Sequence, residues 1–192
     1  MRLDLAWRTD TRTEVRAILD AFFTDPRLLE LISAAEKIHV QPGAGRCLVE
    51  RTTQTDGPDP QADVHTDTFF PTHKVWLYLT DVTEQDGPLV YYPRSQRLSP
   101  RSLAAVYRES TSAASGSRRI EADEPARRRL ARKVFTESAN TLVVADTSGY
   151  HGRHQGAPPG TRTSLHLQFR PDPFRRPAVL EADRSSAALD GK

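Results

Sequence analysis

The 192-residue sequence has a single cysteine, Cys47, so no disulfide can form within the chain. It has no apolar run near the roughly 20 residues of a helical membrane span, and no membrane partner is expected. The opening residues, MRLDLAWRTDTRTEV, lack the apolar core of a secretory signal, which makes cytoplasm the expected compartment. Charge of neither sign dominates: 27 Lys and Arg face 25 Asp and Glu, a net of +2. That field is too weak to gather a polyanion, so nucleic acid is not an expected partner. Internal repeats and long low-complexity tracts are missing as well, and at this length one domain, 1–192, is expected.

Hydrophobic residues are few, 37%, while 14 Pro and 10 Gly punctuate the chain, so a modest core with many loops is expected. Residues 11–36 carry Val15, Ile18, Leu19, Phe22 and Phe23, then, after Asp25-Pro26, Leu28, Leu29, Leu31 and Ile32. This spacing predicts two short amphipathic helices. Beyond them the period shortens. CLVERTTQT (47–55) reads as a strand before the Gly57-Pro58-Asp59-Pro60 punctuation. KVWLYLTDV (74–82) puts Val75, Leu77 and Leu79 on one face and Lys74, Trp76 and Tyr78 on the other.

A Gly-Pro turn after Asp86 and the short strand LVYY suggest a hairpin-rich, antiparallel pattern. Of Tyr91 and Tyr92, alternation sends one into the core and one toward solvent or a cavity. Residues 99–138 break the pattern and read as a helical insertion, with Arg127, Arg128, Arg129, Arg132 and Lys133 as the solvated side of a helix. Strands resume at 141–147 and 161–169, separated by the turn-prone GRHQGAPPG, and the tail 171–192 is expected to be loose. Strand regions 47–98 and 139–170 around an insertion predict a mainly β fold with flanking helices, a double-stranded β-helix or cupin-like jelly roll.

His65 and Asp67 lie two residues apart on an extended segment, so both side chains leave the same face and Thr66 leaves the other. The best third ligand is His151, at the end of the strand that begins near Thr141. His154 is the alternative, although it falls within the turn. Two imidazoles and one carboxylate leave open coordination positions, the pattern of a non-haem iron(II) oxygenase, whereas a structural zinc site closes its fourth position. Eleven residues after His151 stands Arg162, a bidentate fork for a carboxylate, with Ser164 on the same face. His166 shares that parity and is a further candidate for the cavity wall, while His73, after a Pro turn, is expected to be solvated.

With HTD at 65–67, KVWLYLTDVTEQDGPLVYYPRSQ, and ADTSGYHGRHQGAPPGTRTSLHLQF, residues 47–170 resemble the phytanoyl-CoA dioxygenase-like branch of the Fe(II)/2-oxoglutarate oxygenases. The resemblance implies Fe(II), 2-oxoglutarate as cosubstrate and O2, with release of succinate and CO2. It implies that Arg162 and Ser164 bind the distal carboxylate of 2-oxoglutarate and that Trp76 lies beside the cosubstrate. Lys74 and Tyr78, on Trp76's face, join His166 as candidates for the cavity wall; the bland alternative makes that face an outer surface. Hydroxylation of a small organic molecule in specialised metabolism is the expected activity, with desaturation and ring closure as variants. Retention of Asp67 argues against halogenation. Two departures stand out: the region ahead of the HxD is short, and Pro93-Arg94-Ser95-Gln96 replaces Pro-Gly-Ser-His. The competing readings are a non-oxidising, cupin-like metal-binding protein and a metal-dependent hydrolase or isomerase on the same barrel.

Overall fold

The computed structural model describes residues 2–4, 13–36, 46–97, 99–112 and 117–168. The tail expected to be loose (171–192), residues 11–12 at the start of the first predicted helix and residues 113–116 of the insertion lie outside the described residues. In chain order the elements are β1 (Arg2–Asp4), α1 (Thr13–Phe23), α2 (Pro26–Glu36), β2 (Arg46–Thr53), β3 (His65–Thr66), β4 (His73–Tyr78), a 3-10 turn (Glu84–Asp86), β5 (Leu89–Tyr91), α3 (Pro100–Ser112), β6 (Arg118–Arg119), α4 (Glu124–Arg127), β7 (Lys133–Val134), β8 (Leu142–Asp146), β9 (His151–Arg153) and β10 (Thr161–Gln168). Among the described residues, no helix is long and apolar enough to cross a membrane.

The strands form two five-stranded sheets, ordered β1-β2-β10-β4-β8 and β6-β3-β9-β5-β7, with every named pair antiparallel. This is the expected jelly roll. The first sheet is amphipathic in the way a layered fold requires. Its outward residues Val75 and Leu167 pack on Leu28, Leu29 and Ile32 of α2, and Leu165 packs on Leu19 of α1. Its inward face meets the second sheet through Trp76, Tyr78, Val143 and Ala145, which cluster with Leu89 and Tyr91. Lys74, Trp76 and Tyr78 therefore face the interior, and the outer-surface alternative is excluded. Ile32 is completely buried, so Ile32→Ala is expected to cost about 2–5 kcal/mol of unfolding free energy, read from urea melts, by leaving a cavity under the sheet.

Several sequence-based expectations need correction. The Gly-Pro turn does not close a hairpin: β4 lies in the first sheet, whereas β5 pairs with β7 and β9 in the second. The turn is a crossover between sheets. Gly87 ends its 3-10 segment at φ +69, a left-handed conformation that favours glycine, and Thr83 donates to Asp86 Oδ2 from its amide at 2.9 Å and its hydroxyl at 2.6 Å. His151 is not at the end of the strand that begins near Thr141 but on a strand of its own, β9, in the opposite sheet. His73 is buried, 7% exposed, because it lies within β4 rather than in a solvated turn.

The insertion is only partly helical, and its short β6 and β7 form the two edges of the second sheet. Its basic run is not one helix face. Arg127 pairs with Glu121 and Asp123, whereas Arg128 is half-buried and donates to the Tyr150 hydroxyl at 2.6 Å. Tyr91 is buried and Tyr92 half-buried, as alternation requires. The first strand, β1, carries too little pattern in three residues to announce itself, yet it extends the first sheet by pairing with β2.

Candidate metal centre

A cavity opens between the two sheets. The first sheet lines it with Glu50, Lys74, Trp76, Arg162 and His166, and the second with His65, Leu89, His151, Gly152 and Arg153; Gln61 of the connecting loop completes it. Period-two alternation explains the composition, since Val75, Leu165 and Leu167 face the helices and the alternate residues Lys74, Trp76, Arg162 and His166 must face inward.

His65 and His151 are direct cross-strand partners of β3 and β9, with ring centroids 4.4 Å apart. Asp67 follows β3, its amide donating to the Thr147 carbonyl at 3.0 Å. Donor atoms of His65, Asp67 and His151 all lie within 4.8 Å of one another, a group able to hold a metal ion. His151 Nδ1 donates to the Gly149 carbonyl at 2.9 Å, and His65 Nδ1 to the Asp63 carbonyl at 2.7 Å. A carbonyl can only accept, so both rings carry their proton on Nδ1 and keep a lone pair on Nε2, the orientation that outer-shell carbonyls impose on metal-binding histidines. Arg119 Nη1 also lies 3.2 Å from His65 Nδ1 and 3.3 Å from the Asp63 carbonyl. A protonated Nδ1 cannot accept from it, so Arg119 serves the carbonyl, and the shorter His65 contact fixes the tautomer.

Burial is the main influence on both imidazoles: it lowers the His65 pKa and takes that of His151 down to about 4. Neutral rings at pH 7 suit cation binding. Above about pH 6.5, where an unfolded imidazole is also neutral, this effect costs no stability. As pH falls from there toward 4, the unfolded chain takes up a proton that the folded ring refuses, and stability declines. For His151 the loss across that window is on the order of 3 kcal/mol. The metal-free protein is expected to melt at lower temperature at pH 5 than at pH 7, with the slope partly flattened in His151→Gln; an unchanged slope in that variant would contradict the assignment. Burial opposes ionisation of Asp67, but the Lys74 ammonium, 2.6 Å from Oδ2, acting with His151 and Thr147, holds the carboxyl below its ordinary value.

Arg162 is 4% exposed and Nη1 donates to the Gly87 carbonyl at 2.7 Å. Nε has no hydrogen-bond partner, and no carboxylate forms an ion pair with Arg162 among the described residues. The Tyr78 ring lies beneath its guanidinium at 5.8 Å. Burial disfavours the charged guanidinium, Tyr78 and Glu50 offset only part of that, and an entering carboxylate would repay the remainder. Trp76 stacks on His166, with centroids 5.0 Å apart and planes 9° from parallel.

The sequence-predicted residues divide by position. His65, Lys74, Trp76, His151, Arg162 and His166 line the cavity. Ser164 is fully buried on the Arg162 face, its hydroxyl without a partner among the described residues, and Tyr78 packs under Arg162; neither reaches the cavity wall. His154 meets Arg132 at 2.6 Å and stands apart from the donor group. Sequence reasoning missed Glu50, Gln61 and Arg153. Arg153 stands two residues beyond His151 and so shares its face, the same argument that joins His65 to Asp67. Glu50 belongs to the polar alternation Glu50, Thr52, Gln54, all buried.

The family model for phytanoyl-CoA dioxygenase (PhyH) matches residues 6–136, a span that contains His65 and Asp67 and ends before His151 and Arg162. No curated protein matches the sequence. Among solved structures, AviO1 from Streptomyces viridochromogenes Tue57 is similar, at 19% identity and TM-score 0.58 over 92% of this chain and 69% of that one. HygX from Streptomyces hygroscopicus, with nickel and 2-oxoglutarate bound, gives 14% identity and TM-score 0.54 over 90% and 72%. SnoN, a non-heme alpha ketoglutarate dependent epimerase from nogalamycin biosynthesis, gives 15% and 0.55 over 81% of this chain, which spans 61% of SnoN. At these identities the shared property is the fold.

Proposed function

Because the chain belongs to the phytanoyl-CoA dioxygenase family of non-haem iron, 2-oxoglutarate-dependent enzymes, we propose that it oxidises a small organic molecule, by hydroxylation in the first instance, with release of succinate and CO2. His65, Asp67 and His151 would hold iron(II), which would supply the coupling of oxidative decarboxylation of 2-oxoglutarate by dioxygen to oxidation of a C–H bond. The observation that carries the reading is Arg162, a buried guanidinium with no ion pair to a carboxylate among the described residues, facing the same cavity as His65 and His151. Its fork would take the distal carboxylate of 2-oxoglutarate and orient the chelating end toward the metal.

The Gly87 carbonyl holds one arm of the fork, and Trp76, backed by His166, supplies a flat wall beside it. Desaturation and ring closure are variants of the same oxidation at a differently placed substrate. The similarity to HygX, solved with 2-oxoglutarate bound, supports the cosubstrate, and that to SnoN, from nogalamycin biosynthesis, supports a place in specialised metabolism. The test is succinate formation from 2-oxoglutarate by the Fe(II)-loaded protein. Oxygen-dependent succinate supports the reading; an iron-loaded protein that makes none, or that acts on a substrate under strict anaerobiosis, would replace it with a non-oxidising role.

A further inference from the structure

The Asp67 oxygen that faces the histidines is already occupied by a cation. Oδ2 lies 3.5 Å from His151 Nε2 and 2.6 Å from Lys74 Nζ, and both side chains of the Asp67–Lys74 pair are largely buried, 15% and 14% exposed. Lys74 reaches it from β4 in the first sheet, whereas Asp67 follows β3 in the second, so the ion pair joins the two sheets, with Lys74 in the cavity wall.

We propose that Lys74 is a displaceable counter-ion, whose ammonium and the metal exclude one another at Asp67 Oδ2, so that metal binding releases the ammonium into the cavity as a partner for an anionic ligand. This rests on the iron-site reading. A largely buried carboxylate without a partner is unstable, and Lys74 compensates Asp67 until the metal arrives. Once a divalent cation takes Oδ2, the ammonium stands beside a like charge in a poorly screened space and must turn away. Its three donors then remain in the cavity shared with Trp76, Arg162 and His166, where a carboxylate chelated to the metal would meet them. Metal and anion are thereby coupled through one side chain, and each tightens the other by the same factor.

The sign of the effect separates this role from ordinary support. An outer-shell residue that merely orients Asp67 costs roughly 10–100-fold in metal affinity when removed. A competitor does the reverse: Lys74→Met is expected to bind Fe(II) roughly tenfold more tightly than wild type in anaerobic titration, within the range of couplings between linked sites. Lys74→Arg, which keeps the positive charge, binds no tighter than wild type. Melting temperature gives a second readout. Lys74→Met is less stable than wild type without metal, because Asp67 loses its counter-charge, and the deficit disappears when Fe(II) is bound. If Lys74→Met does not fold without metal, Lys74→Gln, which retains a donor, is titrated instead with the same sign expected. Metal affinity unchanged or weakened in the neutral variants would overturn the proposal, as would an equal loss of melting temperature in both metal states. Wild-type protein that binds no Fe(II) at all would instead overturn the iron-site reading on which it rests.

Discussion

Asp67→Ala is expected to abolish Fe(II) binding and all turnover while leaving the fold in place. Asp67 is the only anion of the donor group, and its loss leaves two neutral imidazoles beside the Lys74 ammonium, an arrangement that repels a cation. The affinity loss exceeds the ~10–100-fold that follows removal of an outer-shell partner, because a ligand and the donor group's one negative charge go together. Asp67 belongs to none of the three apolar clusters. The stability change should therefore come from stranding a largely buried ammonium, about 3 kcal/mol. Anaerobic calorimetric titration with Fe(II) reads the first effect and urea unfolding the second. Near wild-type iron affinity in this variant would mean the metal sits elsewhere.

Arg162→Met is expected to separate the two halves of the site. The metal donors lie on or beside β3 and β9 of the second sheet, and Arg162 lies on β10 of the first. Fe(II) affinity should stay near wild type. Affinity for 2-oxoglutarate should fall on the order of a hundredfold or more, the scale on which truncating one partner of a buried charge pair is felt. Stability should move the other way. Arg162 is a buried guanidinium that forms no ion pair with a carboxylate among the described residues and leaves its Nε without a hydrogen-bond partner, so an apolar side chain of similar length is expected to leave the ligand-free protein as stable or more so. Loss of 2-oxoglutarate binding with a raised or unchanged melting temperature identifies a residue kept for its ligand. A parallel fall in both would identify a structural one, and would remove the main support for cosubstrate binding.

What could be read in the sequence followed the reach of periodicity. The helices α1 and α2 were legible because Leu19, Leu28, Leu29 and Ile32 recur at helical spacing and meet the sheet there. The inward set Lys74, Trp76, Arg162 and His166 was legible because two-residue alternation leaves polar residues no other face. The same logic failed where segments are shorter than their pattern. β9 is three residues long and hidden inside a Gly- and His-rich turn, so His151 looked like the end of the preceding strand although it pairs with His65 across the opposite sheet. β6 and β7, two residues each, are held at the sheet edges by partners distant in sequence. The Gly87-Pro88 turn read as a hairpin because local turn chemistry is the same whether the chain folds back or crosses to another sheet. The Asp67–Lys74 pair joins two sheets, and no spacing in the sequence announces it.

The central claim is that one cavity holds both a metal and 2-oxoglutarate. Its most direct test is anaerobic titration of the purified protein with Fe(II) and then 2-oxoglutarate, watching for the weak visible charge-transfer band of oxoglutarate chelated to iron. A band that needs both additions, and that is absent from Asp67→Ala and weakened in Arg162→Met, is the predicted result. A protein that binds Fe(II) yet shows no band at saturating 2-oxoglutarate would contradict the account.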